Sequence, residues 1–311
     1  MNKSPLVSVG IPVYNGEKII KKSLQSIFKQ THKNLEIIII DDNSSDSSFE
    51  ILKKITYRKK NTKLFKNKKN MGISYTYSRL VRLAKGKFFL WNPQDDSRSE
   101  NYIQICLAEF SEDKNIVLCQ GNVQVAYNNR IYHENRIDSY SGIKNDFERL
   151  KIFSRNFCDT TVYGLIDRHK LLKTNLFNQN STAPANLLLQ ELILQGKFKQ
   201  VDGCFFRYNA TVFRMGPKQE YWRHNKQEIP LLHHPSLFIF YKNLIYILKS
   251  KIKSKIKILF HYLLLFAKTN GSKLLQKIFK KKTSSLVNLN PDITYKIKPS
   301  RKDLYYKRFF V

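Results

Sequence analysis

The chain has 311 residues, of which 42% are hydrophobic and 13% aromatic, so it can form a sizeable core and is not globally disordered in character. Its formal net charge of +31 indicates an anionic partner such as nucleic acid, lipid or a phosphorylated ligand, unless it reflects only a general bias towards lysine. The four cysteines are far apart and form no C-x-x-C pair, which disfavours a disulfide framework or a zinc site and favours a reducing compartment.

The first hundred residues alternate between short apolar runs and helical patterns. The β-branched runs that end in turns predict strands, and apolar residues at helical spacing predict the helices between them. This β-α-β-α-β-α-β alternation implies a mostly parallel sheet flanked by helices. The predicted strands cover residues 7–13, 35–40, 63–66 and 88–91, and the predicted helices cover 17–29, 49–57 and 73–84.

The middle of the chain continues the α/β pattern, and we predict that one domain spans residues 1–213. Gly121 and Asn128-Asn129 are expected to break a strand-rich stretch over 116–132. A helix is predicted over 144–153 and a closing strand over 198–208, and residues 162–166, 167–174 and 187–194 suggest further α/β structure.

The last third of the chain, residues 214–311, is strongly basic, with 22 Lys and Arg against 4 Asp and Glu. Written as a helix, residues 249–257 carry an apolar stripe between two arcs of lysines. We therefore predict a basic amphipathic helical region that binds an anionic membrane surface. The apolar stretch 256–267 is too short for a span of about 20 residues, and no apolar leader precedes the first strand. The expected location is cytoplasmic, peripheral on the inner face of the cell membrane.

Polar and acidic residues follow three of the predicted strands, as Tyr14-Asn15, Asp41-Asp42 and Asp95-Asp96. Ligands of open α/β sheets bind outside the carboxyl ends of the strands, so these three clusters are expected to converge on one rim. Each cluster also has a simpler interpretation as an acidic turn or a helix cap. We expect capping from Asp46 and ligand binding from Asp42.

Several spaced motifs occur in an order that resembles family 2 glycosyltransferases. The resemblance is specific over residues 6–103 and continues more weakly through 163–166 and 187–198. It implies a GT-A fold, which is a Rossmann-like α/β domain whose first half binds a nucleotide. It also implies an inverting transfer from a nucleotide-sugar donor with Mg²⁺ or Mn²⁺. The matching segments are residues 7–15, 24–27 with 30–31, 38–46, 70–72 and 95–96.

The resemblance also implies roles for individual residues. Pro12, Tyr14 and Glu17 are expected around the base and ribose, Asp42 on the base, and Asp95 near the ribose or donor sugar. Asn70 joins this donor-binding set, and Asp96 is expected to hold the metal on the diphosphate. A divalent metal neutralises the charge that develops on a diphosphate leaving group, and Mg²⁺ usually takes only one or two carboxylates beside phosphate oxygens.

The match fails where the general base is expected. An inverting transfer needs a group that accepts the proton of the acceptor hydroxyl. The family carries an aspartate just before a leucine-rich helix, and this chain has Ala185 there. Three readings stay open: Glu191 or Asp159 is the base, the chain is slow or inactive, or the alignment of this segment is shifted. Glu191 can also be an ordinary exposed helix carboxylate.

The leading hypothesis is therefore an enzyme that transfers sugar from a UDP-, GDP- or dTDP-linked donor to a hydroxyl of a lipid-linked or surface glycan. The alternative is a catalytically weak or inactive nucleotide-sugar-binding partner protein. Specific nucleic-acid binding is not expected, because aromatic–basic recognition motifs are missing and the acidic clusters repel phosphates. A nicotinamide oxidoreductase is disfavoured because no G-x-G-x-x-G follows the first strand.

Overall fold

A computed structural model of the 311-residue chain describes residues 4–127, 130–133, 143, 145–155, 159–177, 184–209 and 259. Apart from Leu259, these residues belong to one compact unit, Met1–Lys253. The unit is a mixed sheet with helices packed against it, as predicted. The helices and strands, in chain order, are β1 (Val7–Val13), α1 (Ile20–Phe28), β2 (Leu35–Asp41), α2 (Ser48–Thr56), β3 (Thr62–Lys66), α3 (Ile73–Leu83), β4 (Phe88–Trp91), β5 (Ser97–Arg98), α4 (Tyr102–Glu112), β6 (Ile116–Tyr127), β7 (Arg130–His133), α5 (Asp146–Arg155), a 3₁₀ helix (Asp159–Tyr163), β8 (Leu165–Asp167), α6 (Arg168–Leu172), α7 (Pro184–Ile193) and β9 (Lys197–Asn209).

The sheet has the strand order β3-β2-β1-β4-β8-β6-β9-β5, and β7 pairs with β6. Strands β1 to β4 form a parallel half in which β1 lies between β2 and β4. Strand β8 runs antiparallel to both β4 and β6, so it joins that half to the second one. The order reverses at β1, and a reversal of this kind creates a crevice at the carboxyl ends of the strands.

The core explains why the first half was predictable. Every residue of β2 is buried, as its continuous apolar run indicates for a strand covered on both faces. Trp91 is also fully buried, and its indole Nε1 donates a hydrogen bond to the carbonyl oxygen of Tyr77 at 3.1 Å. This tryptophan is therefore a core residue, as expected, although it precedes an acidic turn.

The second half differs from the sequence predictions, or adds detail to them, in three places. Gly121 does not break its strand: β6 passes through it with a β-bulge, and a Cβ there would lie 2.6 Å from Cys204 Sγ. Residues 162–166, expected only to continue the α/β pattern, contain the end of the 3₁₀ helix and the start of β8. The two-residue strand β5 was missed because it is held by pairing with β9, which is distant in sequence.

The basic segment 214–311 lies outside the described residues except for Leu259, so its helices and the boundary at residue 213 stay predictions. Within the part of the chain that the structure describes, no helix combines the length and apolarity needed to cross a bilayer.

Candidate active site

The loops that follow β1 and β2 are bonded to each other residue by residue. The backbone N–H groups of Asn15 and Gly16 donate to the hydroxyls of Ser44 and Ser48 at 2.9 and 2.7 Å. The backbone N–H of Glu17 donates to Asp46 at 3.1 Å. These serine and aspartate side chains therefore fix the end of β1 against the end of β2.

The acidic turn after β4 is tied to the same place by Gln94. Its side-chain amide accepts from the backbone N–H of Tyr14 and donates to the carbonyl oxygen of Tyr14, both at 3.0 Å. Ser23 adds a bond from its hydroxyl to the carbonyl oxygen of Pro93 at 2.8 Å. The predicted convergence of three polar strand ends on one rim is thus confirmed.

Asp42 holds the loop between β3 and α3. Its carboxylate accepts from Asn67 Nδ2 at 2.6 Å, from the Met71 backbone N–H at 2.8 Å and from the Gly72 backbone N–H at 2.9 Å. The side chain is only 5% exposed. A carboxylate offers about four acceptor positions, so about one remains for a ligand. The structure places Asp42 at the rim, where it positions residues 67–72.

The other predicted donor-binding residues lie around this loop network. Pro12 is partly buried in β1, and Tyr14 follows β1 with 43% of its surface exposed. The Glu17 carboxylate accepts from the Ser47 backbone N–H at 3.0 Å, and the Asn70 side chain accepts from Gly72 N–H at 3.1 Å. Asp46 precedes Ser47, which is the N-cap residue of α2 and makes no side-chain capping bond, and the Asp46 carboxylate accepts from the Ser48 N–H at 3.0 Å.

Asp96 is a buried carboxyl with one unused oxygen. It is 1% exposed, and its Oδ1 accepts from the Asn209 backbone N–H at 2.9 Å. Its Oδ2 is buried and has no hydrogen-bond partner among the residues that the structure describes. Burial, and then the neighbouring Asp95 carboxylate, raise the pKa of Asp96 well above its usual range. Leaving such an atom unpaired is costly, and unpaired buried polar atoms often mark a ligand position.

Arg98 is the buried cation of this turn, with 4% of its surface exposed. Its Nε donates to Asn92 Oδ1 at 3.0 Å and its Nη2 donates to the Trp91 carbonyl oxygen at 2.6 Å. The guanidinium carbon lies 4.6 Å from the ring centres of both Tyr102 and Phe206. Arg98 thereby joins the end of β4 to β9, the strand that supplies Asn209.

The residues present fit a divalent cation with few protein ligands. In the described part of the chain, no group of three or more His, Cys, Asp or Glu side chains is close enough to hold a metal. The unused Oδ2 of Asp96 is nevertheless a hard oxygen ligand at the end of a strand, with Asp95 beside it. One or two carboxylates are what Mg²⁺ usually takes when phosphate oxygens complete its coordination.

The candidate bases are placed very differently. Glu191 is 2% exposed in α7, so the expectation of an exposed helix carboxylate is wrong. Its oxygens accept from the backbone N–H of Asn175 at 2.7 Å and from Asn175 Nδ2 at 3.0 Å. Asp159 begins the 3₁₀ helix, but its side chain lies outside the described atoms. Ala185, at the position where the sequence resemblance implies an aspartate, is partly exposed in the first turn of α7.

Several residues that build the site were not predicted. Gln94 and Asn67 sit in loops, and Arg98 follows the acidic turn, where no local sequence pattern points to a buried cation. Asn209 is more than a hundred positions away from Asp96, and only the pairing of β5 with β9 brings it close. Its side chain also donates to the carbonyl oxygen of Asp95.

Comparison with known proteins identifies the family of this chain. The model of glycosyl transferase family 2 matches residues 8–173, which is more than half of the chain, so the chain belongs to that family. The match ends before α7, the helix that carries Ala185 and Glu191. The hyaluronan synthase of Pasteurella multocida is 32% identical over 116 residues, which cover 37% of this chain and 12% of the synthase. The chain spans between 12% and 32% of the length of the first curated relatives it matches.

Solved structures share the fold. TarS of S. aureus in complex with UDP-GlcNAc has a TM-score of 0.61 and 16% identity, with 89% of this chain and 77% of that chain covered. The mannosyltransferase PcManGT from Pyrobaculum calidifontis, in complex with GDP-Man and Mn²⁺, has a TM-score of 0.51 and 11% identity, with 91% and 81% covered. The GT-A-like fold expected from the sequence is therefore confirmed.

Proposed function

We propose that this chain is a glycosyltransferase that moves a sugar from a nucleotide-sugar donor to a hydroxyl of a glycan or lipid-linked acceptor, with inversion at the transferred carbon. The observation that carries the proposal is Asp96, in the turn between β4 and β5, whose buried Oδ2 has no hydrogen-bond partner among the residues that the structure describes. The strand ends beside it, carrying Tyr14 and Asp42, are hydrogen-bonded into one rim. The donors named for TarS and PcManGT, and the polysaccharide made by hyaluronan synthase, support the same class of substrate.

In this proposal each strand end has its own task. Tyr14 and the loop held by Asp42 bind the nucleotide, and Asp95 and Asp96 lie at the diphosphate and sugar. Mg²⁺ or Mn²⁺ on Asp96, when bound, supplies positive charge to the leaving diphosphate. The Mn²⁺ named for PcManGT supports this cofactor class. The chain's own contribution is to orient the donor and to present the buried Oδ2 of Asp96, which has no hydrogen-bond partner within the described residues.

Direct donor binding and transfer test the proposal. The full-length protein is mixed with UDP-, GDP- and dTDP-sugars, with Mn²⁺ or with EDTA, and binding is followed by calorimetry and donor cleavage by release of nucleotide. We expect one nucleotide class to bind, and to do so more tightly with Mn²⁺ than with EDTA. Failure of every donor to bind and to be cleaved would remove the basis of the assignment.

Of the two candidate bases, Asp159 is better supported than Glu191, because the Glu191 oxygens are already engaged by Asn175. Burial, followed by Tyr77 and Asp96, raises the pKa of Tyr163, which ends the 3₁₀ helix that Asp159 begins. The Tyr163 end of this helix is thus within electrostatic reach of Asp96. We propose Asp159 as the group that accepts the acceptor proton.

Matched isosteric variants separate these roles. Asp159→Asn is expected to lower kcat by about 10²–10⁴-fold without changing the donor Kd, as loss of a general base does. Glu191→Gln is expected to lower the free energy of unfolding by about 1–2 kcal/mol, because it weakens buried bonds to Asn175. Steady-state kinetics and urea unfolding of both variants provide the measurements, and a reversed pattern would assign the base to Glu191.

A second candidate function follows from Ala185, which occupies the position of the expected aspartate. In that case the chain binds nucleotide-sugar as a catalytically weak or inactive partner protein. This alternative predicts donor binding without transfer, no effect of Asp159→Asn, and a gain of turnover in Ala185→Asp.

A further inference from the structure

An apolar groove of about 270 Å³ lies between α1 and the end of α2, away from the candidate active site. The α1 residues that line it recur at helical spacing, and Lys59 Nζ lies 4.8 Å from the centre of the Phe28 ring. Both helices return the chain from the carboxyl end of one parallel strand to the amino end of the next, so the C-terminal ends of both helices are remote from the rim, whereas Lys21 lies in the first turn of α1. The groove is lined by Lys21, Leu24, Gln25, Phe28, Ile55 and Lys59.

The surface around this groove is strongly basic, and we call it the α1–α2 face. Residues 51–60, which hold the end of α2 and the turn after it, include five Lys and Arg and no Asp or Glu. By contrast, the eleven residues of α4 include no Lys or Arg, so the excess is not spread evenly over the domain. The exposed cations of the α1–α2 face are Lys21, Lys22, Lys53, Lys54, Arg58, Lys59 and Lys60.

Apolar side chains are exposed among these cations. Tyr57 is 71% exposed in the turn after α2, and Ile19 is 41% exposed just before α1. Arg58, which adopts a positive φ of 65°, lies with its guanidinium 5.2 Å from the Tyr57 ring. Amphipathic aromatic side chains beside cations are typical of surfaces that enter the interface of a bilayer.

We propose that the α1–α2 face docks this domain on an anionic lipid bilayer. Its lysines and arginines meet the phosphate head groups, while Tyr57 and the groove take apolar contact from the interface. A soluble polyanion would use the same cations but would leave Tyr57 and the groove without a role. The proposal stands independently of the catalytic assignment, since none of its residues belongs to the candidate active site.

Charge reversal on the full-length protein tests the face while the basic C-terminal segment is kept. Lys21→Glu, Lys59→Glu and Lys60→Glu are combined in one variant. The control combines Lys87→Glu, Lys114→Glu and Lys173→Glu, which are exposed outside the face and change the net charge equally. On vesicles of phosphatidylcholine and phosphatidylglycerol, the face variant is expected to lose about tenfold or more in partition coefficient and the control much less, because cations act strongly only near the lipid surface. Equal losses would overturn the proposal.

Two further measurements identify what binds to the α1–α2 face. Tyr57→Ser is expected to weaken binding to these vesicles about threefold or more but to leave binding to dextran sulfate unchanged, because only a bilayer accepts an apolar side chain. Hydrogen exchange of the wild-type chain with vesicles is expected to show protection over residues 19–29 and 53–62. Equal effects of Tyr57→Ser on both ligands would assign the face to a soluble polyanion, and absence of protection there would place membrane contact elsewhere. Unchanged donor affinity in the face variant would confirm that docking and donor binding are separate.

Discussion

Asp96→Asn is expected to raise the free energy of unfolding of the metal-free protein at neutral pH by about 1–2 kcal/mol, and to abolish metal-dependent donor binding. The carboxyl is almost fully buried and its Oδ2 lacks a partner within the described chain, so its ionised form is unfavourable without a cation. Asparagine keeps an oxygen for the Asn209 N–H and cannot ionise. The measurement is urea unfolding in EDTA beside calorimetric donor titration with Mn²⁺.

The pH dependence of this effect has a defined sign. Burial and Asp95 raise the pKa of Asp96 in the folded chain, whereas the unfolded chain ionises near the usual aspartate pKa of about 3.9. As pH rises from that value through the folded pKa, the unfolded state loses its proton first, so the Asp96 contribution to stability falls. The advantage of the asparagine variant should therefore grow with pH through this window and then level off.

A second aspartate provides the matched control with the opposite sign. The hydrogen bond from Lys197 lowers the pKa of Asp113, and the two side chains pair at 2.9 Å. Asp113 therefore contributes stability above the unfolded pKa, and this contribution is lost as pH falls. Asp113→Asn should destabilise the protein slightly at neutral pH and leave donor binding intact. If Asp96→Asn also destabilised the protein and left Mn²⁺-dependent donor binding intact, Asp96 would be a structural residue.

The parallel half of the fold followed from local sequence because each strand and helix carries its own pattern. The buried run of β2 and the turn residues after it needed no distant information. The second half depends on pairings between segments far apart in the chain. β5 has two residues and exists through its register with Arg207 and Phe206 in β9, which no local pattern reports.

The same distinction between local and distant information applies to the candidate site. The strand-end position of Asp42 and Asp96 could be predicted because parallel strands present their carboxyl ends together. The sequence did not show how many hydrogen bonds each carboxylate accepts from the rest of the chain. Asp42 is engaged by three donors from residues 67–72, whereas Asp96 receives one from Asn209. Such hydrogen bonding depends on loop geometry, so two residues with the same local context have different capacities to bind a ligand.

The second large effect is expected from Asp42→Asn, which should lower the free energy of unfolding by about 2–4 kcal/mol, as loss of charge-assisted buried bonds does. One asparagine oxygen cannot replace two carboxylate oxygens that accept from Asn67, Met71 and Gly72, and the new amide NH₂ faces a donor. The loop before α3 should loosen, and donor affinity should fall at least about tenfold. Urea unfolding and donor calorimetry measure the two effects.

The Gly72→Ala variant distinguishes an effect of Asp42 on the loop from a direct contact between Asp42 and the nucleotide base of the donor. Gly72 has a φ of 86°, so alanine strains the same loop by about 1–3 kcal/mol while the Asp42 carboxylate is unchanged. If Asp42 acts only by positioning the loop, both variants should lose donor affinity in proportion to their loss of stability, with the nucleotide preference preserved. If its remaining acceptor position binds the base, Asp42→Asn should lose more affinity than Gly72→Ala and should also discriminate less between UDP, GDP and dTDP. We expect the second pattern. The three hydrogen bonds that Asp42 accepts explain why its carboxylate is buried, but they do not explain why it lies at the rim beside Tyr14.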